Sequence, residues 1–152
     1  MKSLIVCVSV SNHNTEKVAR AMADVLGAEV VEPEDVDPST FAKYDLVGFG
    51  SGIFAMSFHH RLRQLVRRIP PVSGTRAFVF ATSGSPEPPV WRYTQTMRRT
   101  LEQRGFSVVG TFTCRGHDTW LPLRLVGGIN KGHPDEADLE HARAFARSLS
   151  GS

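Results

Sequence analysis

Apolar positions along this chain switch repeatedly between two periods. Residues 3–8 form an almost unbroken apolar run, as expected of a strand covered on both faces. Over 15–26 the spacing becomes helical: Val18, Ala19, Met22, Val25 and Leu26 share a face, and Gly27 stands where a left-handed cap is common. Residues 28–31 read as a short second strand, and the acidic, proline-containing 32–43 as a loop with one helical turn. A third strand covers 45–50. Leu62, Leu65, Val66 and Ile69 then mark a helix that Pro70 and Pro71 stop. Residues 77–81 form a fourth strand, and Tyr93, Met97 and Leu101 lie on a helix ended by Gly105. A fifth strand spans 106–112, and a loop of about twenty residues, long for a compact domain, runs over 114–133. Asp135 is suited to cap a last helix, with Asp138 three residues on. Leu139, Ala142, Phe145, Ala146 and Leu149 give that helix its apolar face, and 148–152 read as a frayed tail.

Five strands alternating with helices predict an α/β fold: one domain over 1–152, built as a three-layer α/β/α sandwich around a five-stranded parallel sheet. Ligands in such sheets bind beyond the carboxyl ends of the strands, where strand order reverses. The loops after strands one, three and four therefore carry the expectation of function.

Composition agrees with a folded domain: 41% of the residues are hydrophobic and 22% charged. No apolar run approaches the ~18 residues of a membrane span, so no membrane association is expected. The first apolar stretch is too short for a signal peptide and is followed at once by a turn and helix. Cys7 and Cys114 fall in separate segments without metal-ligand or CxxC spacing, which suits buried thiols in a reducing cytoplasm. The net charge of +3 conceals an uneven spread. Acids dominate 24–45, whereas 61–104 holds nine arginines against Glu87 and Glu102, which predicts a basic side and an acidic side.

The loop after strand one reads Ser9-Val10-Ser11-Asn12-His13-Asn14-Thr15. It has no acid and is dense in hydroxyls and amides, just where a helix N-terminus offers unpaired N–H groups and partial positive charge. That chemistry suits a phosphate; simple capping by Asn14 or Thr15 is the plainer alternative.

At this point the chain resembles the flavodoxin family, whose Ser/Thr-rich first loop ends in Gly-Asn-Thr. His13 stands where glycine is usual, and Asn12 tolerates the left-handed turn. Asp45-Leu46-Val47-Gly48-Phe49-Gly50-Ser51-Gly52-Ile53-Phe54 and Ala81-Thr82-Ser83-Gly84-Ser85 look like that family's two flavin loops. The 114–119 and 127–134 segments are similar to those of a flavodoxin-like branch. The resemblance implies strand order 2-1-3-4-5 and bound FMN. It implies a phosphate held by Ser9, Ser11, Asn12, His13, Asn14 and Thr15, and ring-edge contacts from the backbone of Gly50, Ser51, Gly52, Ile53 and Phe54. Glycines 48, 50 and 52 are expected to permit close approach and unusual dihedrals. Thr82, Ser83 and Gly84 would donate to the pyrimidine end. Phe54, Trp91 and Trp120 are candidates to stack on the ring, and His117, Asp118 and Trp120 to cover its far edge or bind a substrate.

Other readings of the topology fail on particular residues. A receiver domain needs clustered acids after strand one and an aspartate ending strand three; Ser9, Ser11 and Gly50 stand there. A low-molecular-weight phosphatase needs an arginine closing the first loop, and His13 lies six positions after Cys7. His59 and His60 are adjacent and have no spaced partner for a metal. The arginines come with no nucleic-acid motif. The expectation is an electron-transfer carrier using FMN, working with an acidic redox partner or a small anionic substrate. The alternatives are an NAD(P)H-dependent FMN reductase acting on a quinone or similar acceptor, and a flavin-free interaction module with a basic face. Oligomeric state is not legible.

Overall fold

The computed structural model describes residues 1–8, 14–54, 57–83, 89–115 and 134–150. In chain order the elements are β1 (Ser3–Val8), α1 (Asn14–Leu26), β2 (Glu29–Val31), β3 (Leu46–Phe54), β4 (Ser57–Phe58), α2 (His60–Arg68), β5 (Arg76–Ser83), α3 (Pro89–Gln103), β6 (Ser107–Arg115) and α4 (Glu136–Ser150). The parallel strands run in the order β2-β1-β3-β5-β6, which is the expected 2-1-3-4-5 when parallel strands alone are counted. The chain leaves β1 toward β2 and returns on the other side at β3, so the reversal lies between the carboxyl ends of β1 and β3.

Alternation along the strands divides the core. Ile5 and Cys7 of β1 join Phe78 and Phe80 of β5 beneath α1 and α4, with Val18, Met22, Ala142 and Ala146. Leu4, Val6 and Val8 face the opposite way, with Phe49 and Val79, toward α2 and α3. All six residues of β1 are buried, which is why its sequence shows no polar alternation.

Several boundaries differ from the sequence reading. The third strand does not stop at Gly50; it continues to Phe54 because Ile53 and Phe54 pair antiparallel with Phe58 and Ser57, adding β4 to the sheet. The last strand runs on to Arg115, since Cys114 and Arg115 pair with Thr82 and Ser83. The 32–43 segment forms two short 3₁₀ turns, Pro33–Asp35 and Pro38–Lys43, each opened by its proline. Phe41 anchors the second turn in the core, its ring 5.7 Å from Phe49 and edge-on to Phe106. The helix also continues through 148–150, where fraying was expected: Leu149 is buried, and Arg76 Nη2 donates to its carbonyl at 2.8 Å. The reciprocal cap foreseen at Asp135 is present, Asp138 N–H donating to Asp135 Oδ1 at 2.9 Å and Asp135 N–H to Asp138 Oδ2 at 3.0 Å. Gly27 caps α1 with φ +64°.

Charge is less segregated than composition suggested. Arg61 reaches into the acidic segment, Nε donating to Glu34 at 2.7 Å and Nη2 to Glu32 at 3.0 Å. Arg104 donates to the carbonyls of Arg67 and Ile69 at the end of α2, so it caps that helix. Part of the basic surplus is thus spent inside the fold.

Candidate functional site

Asn14 and Thr15 open α1 and are buried, unlike most residues that start a helix beside a loop. The hydroxyls of Thr15 and Thr82 lie 2.7 Å apart, with 2% and 5% of those residues exposed. They join the start of α1 to the end of β5 across 67 residues of sequence. A hydroxyl carries one hydrogen, so the pair shares one bond and leaves a second hydrogen to direct elsewhere. No acceptor for it is found among the described residues. The corner lies at the N-terminal, partly positive end of α1, and Glu16, the carboxylate of the first turn, is paired with Arg20 at 3.5 Å. The corner therefore presents donors and suits an anion.

The pair also gives Thr82 a partner that the sequence did not show. Thr82 was expected at the pyrimidine end of a flavin, yet its hydroxyl meets Thr15. Thr82 shares its strand face with Phe78 and Phe80, the face that α1 covers, so its side chain is directed to the helix start.

Beyond the sheet edge, β3 and β4 form a hairpin whose tip, 55–56, lies outside the described residues. Ser51 is fully buried and locks this hairpin to α2. Its hydroxyl donates to the Gly52 carbonyl at 2.7 Å and accepts the His59 N–H at 3.0 Å. His59 in turn caps α2, its Nδ1 accepting the Arg61 N–H at 3.1 Å. Burial, with the positive field of His60 and Arg61, lowers the His59 pKa and favours the neutral ring that this cap requires. The Ser51 hydroxyl is thus committed within the fold. Sequence reasoning missed this strut; histidine is not a usual N-cap, and its position two residues before Arg61 was the one available signal.

The glycines of β3 also act differently from the expectation. Gly48, Gly50 and Gly52 lie in extended strand, and the positive-φ glycines among the described residues are Gly27, Gly74 and Gly105. A Cβ on Gly48 would stand 2.3 Å from the Phe78 ring, and one on Gly50 2.2 Å from the Phe80 ring. These glycines leave room for core rings, not for unusual dihedrals. Gly50 also lies within the parallel ladder, paired with Cys7 and Phe80, and that ladder runs on to Gly52, which leaves 53–54 as the segment continuing past it into the hairpin.

Of the other expected contacts, Ile53 lies half-buried in the hairpin. Phe54, Ser83 and Trp91 have their backbones in β3, β5 and α3, but their side chains are outside the description. Ser9, Ser11, Asn12, His13, Gly84, His117, Asp118 and Trp120 lie outside the described residues. Burial pushes the Cys7 and Cys114 thiols up to about 12, so neither is a nucleophile near neutral pH. Among the described residues, no three His, Cys, Asp or Glu side chains are grouped to hold a metal, and no helix is long and apolar enough to cross a membrane.

A doubly wound parallel sheet with a donor-rich helix start at its reversal point defines the flavodoxin-like class of α/β proteins. The chain belongs to the flavodoxin-domain family, whose profile matches residues 5–122. It is 37% identical over 149 residues to an uncharacterised protein of Methanocaldococcus jannaschii, covering 98% of both chains. Its fold is similar to oxidised flavodoxin 1 from Bacillus cereus, with TM-score 0.75 and 17% identity over 99% of this chain and 98% of that one. It is also similar to the apo form of an NADH:FMN oxidoreductase, with TM-score 0.66 and 20% identity over 98% and 90% of the two chains.

Proposed function

We propose that this protein binds FMN at the carboxyl edge of its sheet and serves as an electron carrier. The observation that carries this reading is the buried Thr15–Thr82 hydroxyl pair beside the start of α1, which has a hydrogen to give at the positive end of a helix. A phosphate answers both needs. Membership of the flavodoxin-domain family supports the cofactor, as do the names of the proteins that share the fold.

In this reading Ser9, Ser11, Asn12, His13, Asn14 and Thr15 hold the phosphate, with Thr82 bracing Thr15. Gly52, Ile53 and Phe54 of the hairpin, with Ser83 and Gly84 after β5, border the ring, and Trp91 and Trp120 supply aromatic surface. Gly50 and Ser51 act from beneath, by packing and by fixing the hairpin to α2. FMN, when bound, supplies the redox chemistry. The chain contributes position, exclusion of water and hydrogen bonds that bias the potential.

The partner follows from charge. Arg63, Arg67, Arg68 and Arg99 are exposed, and favour an acidic redox protein or a small anionic substrate. Electron-transfer rates should fall as ionic strength rises, because exposed charges are screened beyond about 10 Å at 0.1 M salt.

The test is to add excess FMN to the purified protein, remove what is free and record the spectrum. Bands near about 370 and 450 nm travelling with the protein are expected of bound flavin. A folded protein that retains no flavin overturns the cofactor assignment and leaves the interaction module. Rapid NADH or NADPH oxidation by the flavin-loaded protein alone overturns the carrier role in favour of the reductase.

A further inference from the structure

Beside the β3–β4 hairpin a cleft of about 250 Å³ lies between α2 and α3, with β4 at one end. Its lining is largely apolar, from Phe58, Val66, Met97 and the ring of Tyr93. Phe58 and Tyr93 meet edge to face, with ring centroids 5.9 Å apart. The rim is of another kind, with Arg63 and Arg67 on α2 and Thr96 and Thr100 on α3. The cleft runs down the helices, since Thr100 lies about 10 Å along α3 from Tyr93 at 1.5 Å per residue.

The two arginines are not held in ion pairs as several others are. Arg61, Arg98, Arg143 and Arg147 are each paired with a carboxylate. Arg63 spends Nε on the Phe58 carbonyl at 3.1 Å, which holds its guanidinium at the mouth of the cleft. Among the described residues neither it nor Arg67 has an acidic partner. The Thr100 hydroxyl donates to the Thr96 carbonyl at 3.0 Å, so the donors left on the rim are chiefly cationic.

We propose that this cleft is a binding site for a small aromatic carboxylate, its ring lying on Phe58, Tyr93 and Met97 and its carboxylate between Arg63 and Arg67. The volume is just below the roughly 300–1,000 Å³ of ordinary small-molecule pockets, which limits the body to one or two fused rings. Sulfur and aromatic edges favour an aromatic over an alkyl body. Two guanidinium-bearing side chains on one rim favour a planar carboxylate over a neutral group. The site adjoins the hairpin that borders the proposed flavin site but shares no residue with it, and it does not require bound flavin.

The probe is 1-naphthoate, titrated into isotope-labelled full-length protein while backbone amide shifts are followed. A ligand of this size should bind with a Kd of about 0.1–1 mM. Shifts are expected to concentrate at 57–58, 63–67 and 93–100. The neutral analogue 1-naphthalenemethanol should bind roughly tenfold more weakly, and Arg67→Glu should cost 1-naphthoate about as much. Thr100→Trp, which places a ring over the mouth from a half-buried position, should abolish binding. Should that variant misfold, Arg67→Glu decides alone, because it changes an exposed side chain. No shifts up to about 10 mM, where a site of this affinity is saturated, overturns the proposal. So do equal affinities for the acid and the alcohol, an unaffected Arg67→Glu, or shifts confined to 14–15, 52–54 and 82–83.

Discussion

Gly50→Ala separates a glycine kept for ligand approach from one kept for packing. The added Cβ would stand 2.2, 2.3 and 2.4 Å from three atoms of the Phe80 ring. That ring is fully buried, tilted against Phe78 at 6.0 Å, within the cluster that α1 and α4 close. It has no exposed side toward which to retreat. Overpacking of this kind costs about 1–3 kcal/mol, and contacts this short place Gly50→Ala near the top, at about 3 kcal/mol. Phe80→Leu removes the far ring atoms and alone should cost about 1–1.5 kcal/mol. The double variant should be about 1–2 kcal/mol more stable than the sum of the single effects, because leucine vacates the space that alanine needs. Equilibrium urea unfolding of the flavin-free protein, followed by circular dichroism with a common m-value, measures all of these. Additivity within about 0.5 kcal/mol would refute the packing argument. A Gly50→Ala protein of normal stability but weakened FMN binding would return this glycine to the ligand.

Four further outcomes follow from the same contacts. Thr82→Val keeps the shape but strands the Thr15 hydroxyl, and should cost about 1–3 kcal/mol of stability; FMN affinity measured by fluorescence quenching should fall about tenfold, and an unchanged affinity would leave the pair as a strut alone. The Arg61 guanidinium holds the Glu34 carboxyl down at about 2, so its contribution is full above the ordinary carboxylate range and lost as pH falls toward 2; with both groups near the surface it should be under about 1 kcal/mol and screened by salt, as a Glu34→Gln comparison across pH would show. The His59 pKa is lowered, so the cap is intact above about 6.5 and its stability is lost as pH falls through the lower folded value; His59→Ser should flatten that part of the pH profile. Both thiols, raised to about 12, should resist a thiol reagent at pH 8 and react once urea unfolds the chain.

Much of the fold was legible because local pattern and burial agree. An unbroken apolar run marks β1, a helical apolar face marks α1 and α4, Gly27 stops α1, and the Asp135–Asp138 spacing starts α4. Each is a short-range relation between residues a few positions apart, and the sequence states such relations directly. The expectation of an anion at the loop before Asn14 was drawn in the same way, from hydroxyls and amides at a helix start.

What the tertiary structure decided are relations between distant residues. The Thr15–Thr82 pair spans 67 positions, and β5 could be paired with α1 only once the strand order was known. Gly48 and Gly50 looked like ligand-side glycines because nothing local says that Phe78 and Phe80 lie beside them; the register of β3 on β5 does. The Ser51 side chain has a second role that the sequence did not show, as a strut, since β3 turns back through β4 and brings His59 to it. The charge pattern promised two separate sides, and Arg61 broke it by crossing to Glu32 and Glu34. Composition and period report what a residue prefers; which partner satisfies that preference is set by chain topology, where separation in sequence carries no information about distance in space.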